Sequence, residues 1–131
     1  MSKEQLYIFD TTLRDGAQTQ GVYFSIDDKQ KISTALDNLG FDYIEGGWPG
    51  ANPTDTEFFN KEHIFKNAKL TAFGMTKKSE HSAKNDPMLS SLINSKCSSV
   101  CLFGKSWDFH VDVALGITKE QNLKNISESA N

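Results

Sequence analysis

Leu6-Tyr7-Ile8-Phe9-Asp10-Thr11-Thr12-Leu13-Arg14-Asp15-Gly16-Ala17-Gln18 starts as a short apolar run and breaks at Asp10 into a polar, glycine-containing loop. The apolar half reads as a strand, and the loop runs on to Phe24. Ser25, with Asp28 three residues on, then caps a helix whose apolar positions Ile32, Ala35, Leu36 and Leu39 recur at helical spacing. Gly40 is its expected terminator. Strand, polar loop and helix in this order make one βα unit.

The rest of the chain repeats that unit. Phe41-Asp42-Tyr43-Ile44 is a second strand, followed by the turn-rich Gly46-Gly47-Trp48-Pro49-Gly50. Thr54 and Glu57 suggest a capping box after Pro53, opening a helix with Phe58 and Phe59. Leu70-Thr71-Ala72-Phe73 is the third strand, with a polar loop over residues 76–85. Asp86 caps a helix with Pro87 at its first position and Met88, Leu89, Leu92 and Ile93 on one face. Val100-Cys101-Leu102-Phe103 is the fourth strand, and Thr118 with Gln121 opens a last helix with Leu123 and Ile126 inward.

Strand starts near residues 6, 41, 70 and 100 give repeats of 35, 29 and 30 residues, the length of a βαβ step. Parallel strands are expected near residues 6–10, 42–46, 69–74 and 99–103. No G-x-G-x-x-G follows the first strand, so a dinucleotide-binding sheet has no support. A whole (β/α)8 barrel takes about 250 residues. The α/β pattern therefore reads as the first half of a TIM barrel, with residues 1–131 the N-terminal part of a catalytic domain.

Composition narrows the function. Net charge is −3, and Lys77-Lys78 is the only adjacent basic pair, which speaks against a nucleic-acid protein. No apolar run approaches the roughly 18–20 residues that span a bilayer. The polar start, Met1 to Gln5, leads to the expectation of a cytoplasmic protein without a secretory signal. Cys97 and Cys101 would lie about 13 Å apart along a strand, beyond the roughly 7 Å that a disulfide allows. Both are expected to be reduced thiols.

In a barrel the chemistry gathers at the C-terminal ends of the strands. Asp10, Arg14 and Asp15 follow the first. A carboxylate offers hard oxygen to a divalent cation, and an adjacent arginine can meet carboxylate or enolate charge. A surface Arg–Asp pair, with Asp10 capping a turn, fits the same spacing. Glu45 ends the second strand, placed either to orient Arg14 or to sit in solvent. Lys77, Lys78 and Lys105, on the next loops, can meet anionic groups or remain solvated. His110 is a base, a ligand or neither.

The run Asp10-Thr11-Thr12-Leu13-Arg14-Asp15-Gly16-Ala17-Gln18 resembles the opening signature of the pyruvate-carboxyltransferase-like superfamily, which includes isopropylmalate, homocitrate and citramalate synthases and HMG-CoA lyase. Residues 42–50, 70–78 and 103–111 resemble the citramalate synthase branch in particular. Isopropylmalate synthases usually carry glutamate where this chain has Ala17. The likeness covers residues 6–128.

The resemblance implies a metal-dependent acyltransferase that condenses acetyl-CoA with pyruvate, a step of isoleucine biosynthesis, in a homodimer. It implies that Asp15 ligates a divalent cation (Mg, Mn or Zn). Arg14 would neutralise the developing oxyanion, Glu45 would hold Arg14, and Gln18 and Thr76 would contact substrate. It also implies a His-x-His pair of further ligands. The chain has only His63, His81 and His110, so that pair and the general base are expected beyond residue 131, and the 131 residues alone are expected to be inactive. Two other readings remain: a sister synthase acting on another 2-oxo acid, and a non-catalytic half-barrel that persists only by pairing with another chain.

Overall fold

The computed structural model describes residues 4–131; Met1–Lys3, part of the polar start, lie outside them. Four strands, β1 (Phe9–Asp10), β2 (Tyr43–Gly47), β3 (Lys69–Met75) and β4 (Ser99–Phe103), form one sheet in the order β1-β2-β3-β4. All three pairings are parallel, in the register Phe9↔Tyr43, Tyr43↔Lys69 and Thr71↔Ser99. Helices α1 (Ile26–Asn38), α2 (Pro53–Asn60) and α3 (Pro87–Asn94) connect the strands. After β4 come a short helical turn, α4 (Asp108–His110), a wider turn over Val111–Leu115 and α5 (Lys119–Ala130).

The period of two along the strands sorts their side chains. Ile44, Leu70 and Ala72 face the helices and form the core with Phe58 and Phe59 of α2 and Leu89 and Leu92 of α3. Phe58 is fully buried, which is worth about 1.5–3 kcal/mol. The alternate positions Glu45, Thr71 and Phe73, also buried, point to the opposite face, the inside of the developing barrel.

Five local expectations need correction. β1 is two residues long, not five. Ile8 gives its N–H to the Asp42 carboxylate at 2.7 Å, outside the strand ladder, and Leu6 is 86% exposed. The cap of α2 is Asn52, whose side chain accepts from the Asp55 N–H at 2.8 Å, so the Thr54–Glu57 box does not form. Leu39, just past the end of α1, is exposed, while Lys29, Ser33 and Asp37 within the helix are buried. In α3, Ile93 is exposed. In α5, Leu123 is exposed, and the buried residues are Asn122 and Asn125. The capping boxes of α1 and α5 and the Asp86 cap of α3 form as read.

Candidate active site

Two strand ends bring Arg14 and Glu45 together. Asp10 ends β1 and caps the following turn, accepting from the Thr12 N–H and hydroxyl, each at 3.0 Å. Leu13 is fully buried and anchors the loop, so the next residue, Arg14, projects over the sheet. Its Nε donates to Glu45 Oε2 at 2.6 Å and its Nη1 to Asp15 Oδ1 at 3.1 Å. The guanidinium carbon lies 4.2 Å from the centre of the Phe73 ring, a stacked geometry that lysine cannot copy. Glu45 is 1% exposed, and a carboxylate so placed needs its cationic partner. The solvated reading of Glu45 is excluded.

The backbone around Glu45 is unusual. Between Glu45 and Gly47 the register with β3 slips, so Gly46 drops out of the pairing. Such a bulge re-aims the side chains beside it. Gly47 has φ +146°, and a Cβ there would lie 2.5 Å from the Asp55 carboxyl carbon. Only glycine admits helix α2 this close.

Arg14, Ala17 and Gln18 line a cleft of about 430 Å³, together with Phe24, Trp48 and Asn52. Thr76 lines a separate cleft of about 480 Å³ with Met75 and Lys78. Trp48 borders both, and its ring meets Phe73 edge-on at 5.3 Å. The residues read as catalytic or substrate-binding thus divide between two neighbouring hollows: Arg14 and Gln18 line the first, Thr76 lines the second, and Glu45 is buried behind Arg14. Lys105 sits 5.3 Å from the Phe103 ring, and His110 packs against Trp107 in an exposed aromatic group.

Several residues hold places that the sequence did not assign them. Lys77 is neither a solvated lysine nor a free cation: it is buried, donating to the His81 carbonyl at 2.9 Å and Asn125 Oδ1 at 3.0 Å, with Glu128 at 3.0 Å. Cys101, on the next strand, faces Glu45. Burial pushes its thiol pKa up, and the Glu45 charge and hydrogen bond push it further, against the opposing pull of Arg14. Lys29 is buried beneath the Arg14 loop and ion-paired with Asp55. A lysine on a helix reads as solvent-facing unless its partners are known.

Asp15 is a residue that could hold a metal ion. Its side chain is 62% exposed, and its hard carboxylate oxygens suit a divalent cation. Among the described residues no three His, Cys, Asp or Glu side chains converge on a point. The chain therefore fits one ligand of such an ion and not a whole cage.

Among known proteins, the HMGL-like family profile matches residues 5–131. The (R)-citramalate synthase of Aquifex aeolicus is 53% identical over 96% of this chain and 24% of its own length. That of Sulfolobus acidocaldarius is 47% identical over 100% of this chain and 25% of its own. The chain thus spans about a quarter of these relatives. The HMG-CoA lyase structure from Bacillus subtilis superposes with a TM-score of 0.73 over 98% of this chain and 42% of that one, at 17% identity, a likeness of fold. Four parallel βα units, with the signature loop after the first strand, make this half of a (β/α)8 barrel, and the chain belongs to the HMGL-like family.

Proposed function

We propose that the chain is the first four βα units of a longer barrel enzyme, a metal-dependent acyltransferase that condenses acetyl-CoA with pyruvate to give (R)-citramalate. The observation that carries this reading is the Arg14 guanidinium, fixed by buried Glu45 at 2.6 Å and standing beside open Asp15 at the strand ends. The similarity to (R)-citramalate synthases supports that product and the substrate pair that would give it.

In this reading the acetyl methyl loses a proton to a base outside these residues, and the resulting enolate carbon attacks the pyruvate carbonyl carbon. The carbonyl π electrons move to oxygen, and Arg14 meets that negative charge. Glu45 acts through Arg14, holding it so that no reorganisation is needed as the charge appears. Gln18 orients the 2-oxo acid from the Arg14 cleft, and Thr76 contacts substrate from the adjoining one. Water then cleaves the thioester and frees CoA. A divalent cation (Mg, Mn or Zn), held in part by Asp15, would supply Lewis acidity towards the 2-oxo acid oxygens.

The test is thiol release by the complete protein from acetyl-CoA with a panel of 2-oxo acids. Pyruvate is expected to be preferred. Preference for 2-oxoisovalerate or 2-oxoglutarate would move the reading to a sister synthase, and no thiol release with any of them would overturn it. Exposed apolar residues on β4, Val100 at 45% and Phe103 at 46%, also fit a half-barrel that associates with other chains. In the proposed reading, further strands of the same barrel cover them.

A further inference from the structure

The buried lysine beneath the Arg14 loop has a geometry that surface electrostatics does not explain. Lys29 is 2% exposed. Its Nζ donates to the Leu13 carbonyl at 3.0 Å, to the Gly46 carbonyl at 2.9 Å and to the Asp55 carboxylate. An ammonium has three donors, and here each is used. Leu13 immediately precedes Arg14, and Gly46 immediately follows Glu45. Gly46 is also the bulged residue that drops out of the strand pairing, so its buried carbonyl needs a partner from elsewhere. Lys29 is that partner.

Asp55 completes the arrangement. It accepts from the Trp48 N–H and from Asn52 Nδ2, each at 2.9 Å, which ties the turn after β2 to the start of α2. One ammonium thus joins the loop that carries Arg14 to the strand end that carries Glu45.

We propose that Lys29 is a positioning residue that sets the Arg14–Glu45 pair by clamping the backbone next to each partner. Lys29 borders the Arg14 cleft, but its ammonium donors are all taken by protein acceptors, so it acts through Arg14. The proposal rests on the functional reading above for its effect on turnover, but its geometric content stands apart from that reading, and the test separates the two.

The experiment uses the complete protein with three variants: Lys29→Met, Lys29→Met/Asp55→Asn, which removes both buried charges and guards against misfolding, and Asp37→Asn, a change to a buried charge farther along the same helix. The first arm follows solvent exchange of the Arg14 Nε–H by ¹⁵N NMR, with the resonance assigned by Arg14→Lys. Exchange is expected to rise at least about tenfold in the Lys29 variants and to stay unchanged in Asp37→Asn. Unchanged exchange in folded Lys29→Met/Asp55→Asn would overturn the proposal whatever reaction the enzyme performs. The second arm is a kinetic double-mutant cycle. The Lys29 variants are expected to lose about 10- to 100-fold in kcat, with KM for pyruvate within about twofold, and to lose nothing further on an Arg14→Lys background. Additive losses would overturn the proposal. A wild type without condensing activity but with a protected Nε–H would sink the functional reading and leave the clamp standing.

Discussion

Helix α1 buries a charged side chain near each end, and the two are surrounded very differently. Near its N-terminus Lys29 lies under the mouth of the half-barrel and gathers carbonyls, from Leu13 and Gly46, beside the Arg14–Glu45 pair. Near its C-terminus, eight residues on and on the same helix face, Asp37 gathers N–H groups, from Lys66, Asn67 and Ala68 at 2.8–2.9 Å, just before β3 begins. Both satisfy buried polar backbone, and both hold a loop to the helix. The difference is what the held loop carries. At the mouth it carries an arginine with donors to spare; at the foot it carries the entry to a strand. In (β/α)8 barrels the first end is where chemistry collects and the second is where stability is secured.

That comparison is broken or sharpened by substitution at each end. The largest effect is expected at Asp15. Asp15→Ala in the complete protein removes a hard ligand and should abolish metal-dependent condensation, measured as thiol release; wild-type turnover in the variant would remove Asp15 from the site. Glu45→Gln keeps the shape but loses the charge that fixes Arg14. It should lower kcat about tenfold, less than any change to Arg14 itself, and an unaltered kcat would mean that Arg14 needs no support from below.

At the foot the expected effect moves from activity to stability. Asp37→Asn gives up at least one of three backbone hydrogen bonds in a buried site, a cost of about 1–3 kcal/mol, read as a lowered Tm with kcat unchanged. A loss of kcat with Tm intact would show that the two ends are not separable. Its pH dependence follows from the same contacts. Burial pushes the Asp37 carboxyl up, but the backbone N–H bonds from Lys66, Ala68 and Asn67 outweigh burial and hold it below the ordinary carboxylate value. A group depressed on folding contributes stability that is complete above its unfolded pKa, about 3.9, and is lost as pH falls through the folded value. Denaturant titrations between about pH 6 and pH 3 should therefore show a smaller acid-side loss in Asp37→Asn than in wild type. Equal slopes would mean that the carboxyl titrates alike in both states.

The contrast also explains what could be read in the sequence. The four strands, their parallel order and the caps at Ser25, Asp86 and Thr118 were legible, because apolar periodicity and capping chemistry are local. The position of Arg14, Asp15 and Glu45 at strand ends was legible too, through the signature loop and the repeat length. The contact between Arg14 and Glu45, 31 residues apart, was one of two readings of the spacing and was implied by the family resemblance; the burial of Glu45 and the 2.6 Å distance decide for it. Polar residues turned inward were the main omission: nothing in the sequence singled out Lys29, Asp37, Asn122 or Asn125, and Lys77 stood open between an anionic partner and solvent. Asn122 and Asn125 displaced the expected Leu123 because α5 packs on loops, where the Lys105 carbonyl and Lys77 Nζ need partners. Hydrophobic periodicity finds faces that pack on strands and misses faces that pack on exposed backbone.

The central claim is that the mouth of this half-barrel is organised around Arg14 for chemistry and not for cohesion. Arg14→Lys tests it most directly, because lysine keeps the charge and loses the forked donors that meet Glu45 and Asp15 together. In the complete protein, kcat should fall about 10²–10³-fold, KM for pyruvate should change little, and Tm should stay near wild type. An unchanged kcat with a lowered Tm would contradict the account and make Arg14 a structural ion-pair residue.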